Sequence, residues 1–147
     1  MKHVAIIGNG ISGVTAARHI RKKSDCKITI ISSESDYFFS RTALMYIYMG
    51  HMTLKHTQPY EPEFWIKNRL ELKKGYVNQI LYEENELVFS DGSRLEYDDL
   101  ILAVGSKPNK FGWPGQDLNG VGGLFSYQDL EHMETYTKDI SRGVTVA

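Results

Sequence analysis

The stretch from Lys2 to Gly13 constrains what this chain can fold into more than any other. Val4-Ala5-Ile6-Ile7 is a continuous apolar run, the pattern of a strand buried on both faces of a parallel sheet rather than the alternation of a half-exposed one. Gly8-Asn9-Gly10-Ile11-Ser12-Gly13 follows at once and leads into a helix expected over Ile11–Lys23, with Ile11, Val14, Ala17 and Ile20 directed at the sheet. The three glycines have separate tasks at that spacing. Gly8 starts a tight turn, Gly10 leaves room for a pyrophosphate to approach the backbone, and Gly13 lets the helix pack closely on the strand. The first amides of the helix lack intrahelical partners and sit at the positive end of its dipole, so they form an anion site. The bland alternative is a glycine-rich turn that holds no ligand.

Context favours the diphosphate cradle. Lys27-Ile28-Thr29-Ile30-Ile31 reads as a second buried strand, and Glu34 lies 21 residues after Gly13, near the spacing at which an acidic group accepts from an adenosine ribose. A carboxylate there favours a free 2′-hydroxyl over a 2′-phosphate.

At 147 residues the chain is the size of one domain. Its net charge of −1 and its scattered lysines and arginines, without a basic stripe and interleaved aromatics, argue against a nucleic-acid scaffold. Arg21-Lys22-Lys23 suits the C-terminal end of the first helix. Glycines interrupt the N-terminal apolar run after four residues, too early for a signal peptide or a membrane span, so a cytoplasmic protein with no membrane partner is expected. The one cysteine, Cys26, reads as a small half-buried thiol on the loop before the second strand. The five histidines lie too irregularly for a metal site, and no catalytic residue stands out.

Ser35 to Gly50 is expected to be a loop running into a short helix, with Ser40 as its cap, Arg41 available to a phosphate or a ring carbonyl, and aromatics that either line a flat slot or fill core. Tyr60 to Leu70 looks helical, with Pro62 in its first turn, and Leu72 to Lys74 a short strand. From Gly75 the period changes to two. Tyr76–Tyr82, Glu86–Phe89 and Arg94–Tyr97, with Asp91-Gly92 as a hairpin signal, predict an antiparallel meander inserted into a parallel sheet. Asp98 to Val104 reads as a further fully apolar strand, Tyr127 to Ile140 as an amphipathic helix, and Gly143 to Ala147 as the start of another buried strand. The expected fold class is therefore α/β, a Rossmann-like parallel sheet with helices and an inserted three-stranded β-meander.

Three motifs in this order resemble the FAD-binding domain of the pyridine nucleotide-disulfide oxidoreductase superfamily. They are Gly8 to Gly13 with Glu34, then Tyr97-Asp98-Asp99-Leu100-Ile101-Leu102-Ala103-Val104-Gly105-Ser106-Lys107-Pro108, and finally Trp113-Pro114-Gly115 through Val121. Phe39-Ser40-Arg41-Thr42-Ala43-Leu44 is most similar to the NADH-dependent reductases that serve rubredoxin, ferredoxin or a nitrite reductase's own redox centres. The resemblance implies FAD held by Gly8, Asn9, Gly10, Ile11, Ser12, Gly13, Glu34, Ser40, Arg41, Val77, Ala103 and Gly105. In it Glu34 meets the ribose, Ser40 and Arg41 the pyrophosphate or flavin side, the Val77 backbone the adenine, and Gly105 lies against the cofactor.

Two departures from the family pattern carry meaning. Val104 stands where the family has threonine, which removes a hydroxyl and keeps the strand shape. Disulfide-reducing members carry a cysteine pair near the flavin, and peroxidase and oxidase members one cysteine, where this chain has Ser40-Arg41-Thr42. The resemblance therefore implies electron transfer by the flavin alone to a small redox protein or a fused redox domain. It assigns residues 1–125 to the first segment of the FAD-binding domain and 126–147 to a linker helix and the start of an NADH-binding domain lying outside the chain. This piece alone is expected to be inactive. The competing class is a stand-alone adenine-dinucleotide-binding module without turnover.

Overall fold

The computed structural model describes residues 1–145. These fall into two compact units: residues 1–39 with 58–106, and residues 40–57 with 107 onward.

The first unit is built on a four-stranded parallel sheet. β1 (His3–Ile7) lies between β2 (Lys27–Ser32) and β7 (Asp99–Leu102), and β3 (Leu70–Lys74) pairs with the far side of β2. In register, Ile6 stands beside Ile30 and Ile101, with Leu72 beyond Ile30. Val4, Ile6, Ile28 and Ile30 join Val14, Ala17, Trp65 and Leu70 in one cluster, brought by α1 (Ile11–Lys23) and α3 (Pro62–Lys67). On the other side Ala5 and Ile31 meet Leu87, Phe89 and Tyr97. Both faces of β1 are thus covered, which is why its sequence is an unbroken apolar run. Each fully buried isoleucine contributes roughly 1.5–3 kcal/mol.

The second cover is the predicted meander. β4 (Val77–Leu81), β5 (Glu86–Phe89) and β6 (Arg94–Glu96) form a separate antiparallel sheet with β5 in the middle. The Asp91-Gly92 turn closes it as expected: Gly92 has φ +82°, and Asp91 Oδ1 accepts from the Ser93 amide at 2.8 Å.

Several expectations need correction. Ile11 does not face the sheet but is 66% exposed, because it occupies the first turn of α1, beyond the reach of β1. The helix read over 60–70 is confined to Pro62–Lys67, since Arg69 adopts φ +50° and Leu70 already pairs with Ile28 in the sheet. The strand expected over 98–104 is only Asp99–Leu102, and it is not fully buried: it pairs on one side alone, leaving Leu102 and Val104 exposed.

In the other unit, a 3-10 turn (Arg41–Ala43) runs into α2 (Leu44–Tyr48), which lies against α4 (Tyr127–Thr137). Leu44 and Leu130 are their buried residues, whereas Tyr46 is exposed rather than core. Ser40 does occupy the N-cap position, but its hydroxyl is 3.1 Å from Thr42 Oγ1 and caps no backbone amide. α4 ends at Thr137, short of the expected Ile140, and starts in a capping box in which Ser126 Oγ accepts from the Asp129 amide at 3.0 Å and Asp129 Oδ2 accepts from the Ser126 amide at 2.7 Å. Residues 143–145 form no strand, and Val144 is 92% exposed; the rest of that expected strand, Val146 and Ala147, lies outside the described residues.

Candidate functional site

The turn after β1 emerges at the carboxyl ends of the parallel strands, where ligands bind in open sheets of this kind. Its three glycines divide sharply in what the fold asks of them. Gly8 has φ +116°, and a Cβ there would overlap the carbonyl oxygen of Ala103. A Cβ on Gly13 would overlap the carbonyl oxygen of Gly8 and come within 3.3 Å of the Ile6 side chain. Packing within the chain therefore accounts for both. Gly10 differs: at φ −72° any residue is tolerated, and a Cβ would meet nothing within 4 Å. Nothing inside the fold requires glycine at position 10, whereas an approaching ligand would.

The amides that face this opening belong to the first turn of α1. The first helical bond runs from the Val14 amide to the Gly10 carbonyl at 3.0 Å, so the amides of Ile11, Ser12 and Gly13 precede the i−4 ladder. No acidic side chain occupies that turn, while Arg21, Lys22 and Lys23 occupy the last one. The positive end of the dipole is thus not offset by a carboxylate of the helix itself. A diphosphate fits this donor set.

Glu34 follows β2 in the same unit and is half-buried. Its amide donates to Ser32 Oγ at 3.2 Å, and the neighbouring Ser35 is held by Asn9, whose Nδ2 donates to the Ser35 carbonyl at 3.0 Å. The side chain of Asn9 is therefore committed to the loop that carries Glu34. Sequence reasoning passed over Ser32 and Ser35, although a run of small hydroxyl residues directly after a strand is the usual sign of side-chain-to-backbone turns.

Val77 opens β4 opposite Phe89, next to a register shift between Val77 and Gln79. Gly75 sits against the Phe89 ring, where a Cβ would fall 2.8 Å from Cδ1. Ala103 continues β7, its amide donating to the Ile7 carbonyl at 2.8 Å, and Gly105 beyond it takes φ +73°. All these residues belong to the first unit; Ser40 and Arg41 belong to the other. There Arg41 donates from Nη1 to the Phe125 carbonyl at 2.5 Å and lies 4.7 Å from the centre of that ring.

Cys26 precedes β2, at the end of the strand opposite the glycine turn, with Sγ 3.0 Å from Ser24 Oγ. Among the described residues no cluster of three metal-ligating side chains is present, and no helix is long and apolar enough to cross a membrane.

Residues 2–146 match the family described as pyridine nucleotide-disulphide oxidoreductase. The chain belongs to that family. An NAD(P)H nitrite reductase of Bacillus subtilis (strain 168) is 28% identical over 151 residues, an alignment that takes in 99% of this chain and 18% of that protein. The ferredoxin–NAD(+) reductase subunit of the benzene 1,2-dioxygenase system of Pseudomonas putida is 28% identical over 131 residues, 88% of this chain and 32% of that one. Among solved structures, NADH:rubredoxin oxidoreductase from Clostridium acetobutylicum superposes with a TM-score of 0.78 at 25% identity, over 91% of this chain and 35% of that one. These relatives are reductases linked to pyridine nucleotides, and this chain spans between about a fifth and a third of their length.

Proposed function

We propose that this chain is the FAD-binding portion of an NADH-dependent flavoprotein oxidoreductase that passes electrons from NADH through FAD to an external acceptor without a redox-active disulfide. The observation that carries the reading is Gly10, a glycine the fold does not need, set between two that it does and beside the unladdered amides of α1. In this reading the amides of Ile11, Ser12 and Gly13 hold the diphosphate, Glu34 accepts from the adenosine ribose, and the backbone at Val77 meets the adenine. Ala103 and Gly105 lie along the cofactor, and Ser40 and Arg41 serve its pyrophosphate or flavin side. Residues 1–125 form the first segment of the FAD-binding domain and 126–147 lead toward a domain that binds NADH.

FAD would supply the redox chemistry, accepting a hydride and releasing electrons, while the protein binds and orients it. The acceptor is a small redox protein or a fused redox domain, a reading supported by the ferredoxin reductases among the relatives. The chain contains one cysteine, placed away from the glycine turn, which leaves no cysteine pair for disulfide exchange within it. A protein that draws on NADH is expected in the cytoplasm.

Titrating the purified chain with FAD, followed by flavin fluorescence and the visible spectrum, tests the assignment. Saturable binding that Gly10→Val abolishes supports it; binding unaffected by that substitution removes the glycine turn from the site.

A further inference from the structure

We propose that Asn9 is a positioning residue that sets the ribose-selecting carboxylate of Glu34, an inference that rests on the dinucleotide reading above. Asn9 stands between two motif glycines at a place where that motif admits any residue, yet its side chain turns inward and is only 8% exposed. Its Nδ2 donates to the Ser35 carbonyl at 3.0 Å and reaches Ser35 Oγ at 3.4 Å. A carbonyl can only accept, so the amide nitrogen of Asn9 and not its oxygen must face Ser35. Ser35 is itself buried, and its hydroxyl donates to the Tyr37 carbonyl at 2.8 Å. On the other side of Glu34, Ser32 Oγ accepts from the amides of Glu34 at 3.2 Å and Ser35 at 3.5 Å.

Glu34 is thus held between two anchors. Ser32 ends β2, and Ser35 is bonded directly to the glycine turn that would hold the diphosphate. Ribose and diphosphate are joined covalently, so a ligand that uses both sites needs a fixed separation between the turn and Glu34. Hydrogen-bond distances tolerate only a few tenths of an ångström, and Asn9 is the side chain that spans the gap. Alanine would remove the clasp, and aspartate would set a carboxylate with no proton against the Ser35 carbonyl.

Calorimetric titration of the full chain with ADP and with 2′-deoxy-ADP separates positioning from general stabilisation. Wild type should prefer ADP by roughly tenfold or more, the scale of one hydrogen bond to a charged group. Glu34→Ala, which removes the acceptor, should erase that preference. Asn9→Ala, confirmed folded by circular dichroism, should reduce the preference roughly threefold or more, as expected for a hydrogen bond that is weakened rather than lost, and should change it no further when added to Glu34→Ala. If Asn9→Ala does not fold, Asn9→Asp, which keeps the size of the side chain but removes its donor to the Ser35 carbonyl, decides the question by the same ratio. Loss of affinity equal for both nucleotides, or a wild-type ratio retained while Glu34→Ala erases it, overturns the positioning role and leaves the ribose assignment standing. A wild-type chain that binds neither nucleotide, or does not distinguish them, overturns both.

Discussion

Replacing the three glycines one at a time by alanine should split folding from binding. At Gly8, φ +116° and the overlap with the Ala103 carbonyl act together. Backbone strain of roughly 1–3 kcal/mol and overpacking of roughly 1–3 kcal/mol give a loss of about 2–6 kcal/mol. Gly13→Ala lacks the strain but drives its Cβ into the Gly8 carbonyl, which belongs to backbone and cannot yield as a flexible side chain would. Its cost should fall at or above the top of the overpacking range, about 3 kcal/mol. Against a usual domain stability of about 5–15 kcal/mol, either change is severe. Gly10→Ala is a different case. Reduced freedom of the unfolded chain gains roughly 0.4–1 kcal/mol, while alanine is a poorer N-cap than glycine by a similar amount. Its stability should therefore stay close to that of wild type. Its Cβ would nonetheless stand where the diphosphate approaches, and FAD affinity should fall at least tenfold, about 1.4 kcal/mol. Urea unfolding followed by circular dichroism, with FAD titration of the folded variants, gives both quantities. A Gly10→Ala protein as destabilised as Gly8→Ala, or one that binds FAD as wild type does, would refute the division.

Two further outcomes follow from the other end of the sheet. His3 is held below its ordinary value of 6.5, first by burial and then by the Lys27 ammonium, against the opposing pull of the Glu96 carbonyl and the carboxylates of Glu71 and Asp98. The unfolded chain then takes up a proton that the folded one resists. Stability should fall as pH drops below 6.5 toward the lowered folded value, and His3→Gln should flatten that part of the urea-midpoint profile. Cys26→Ser should leave FAD affinity unchanged, because the thiol precedes β2 at the strand end away from the glycine turn; a fivefold loss in titration would contradict its placement.

The parts of the fold visible in the sequence were those dictated by contacts close along the chain. The run from Val4 to Ile7 and the Gly8-to-Gly13 spacing specify strand, turn and helix together, and α1 spans the residues expected of it. Asp91-Gly92 likewise determined its hairpin through a local side-chain bond. Ile11 and Val104 were misplaced because apolar character does not reveal where a strand's neighbours end; one lies past the end of β1 and the other past an edge strand. The candidate site shows the same limit. Glu34 was legible from its spacing, but the clasp from Asn9 to Ser35 joins residues 26 apart and carries no periodic signal. The role of Arg41 in binding the Phe125 carbonyl, 84 residues away, was hidden for the same reason.

The most direct test of the central claim is an amide-resolved NMR titration of the chain with FAD. Saturable shifts are expected to concentrate on the amides of Gly10 to Gly13 and on Ser32 to Ser35, with Lys22 to Cys26 at the opposite end of the sheet unmoved. Saturable binding whose shifts avoid the glycine turn, or the absence of binding at millimolar FAD, would contradict it.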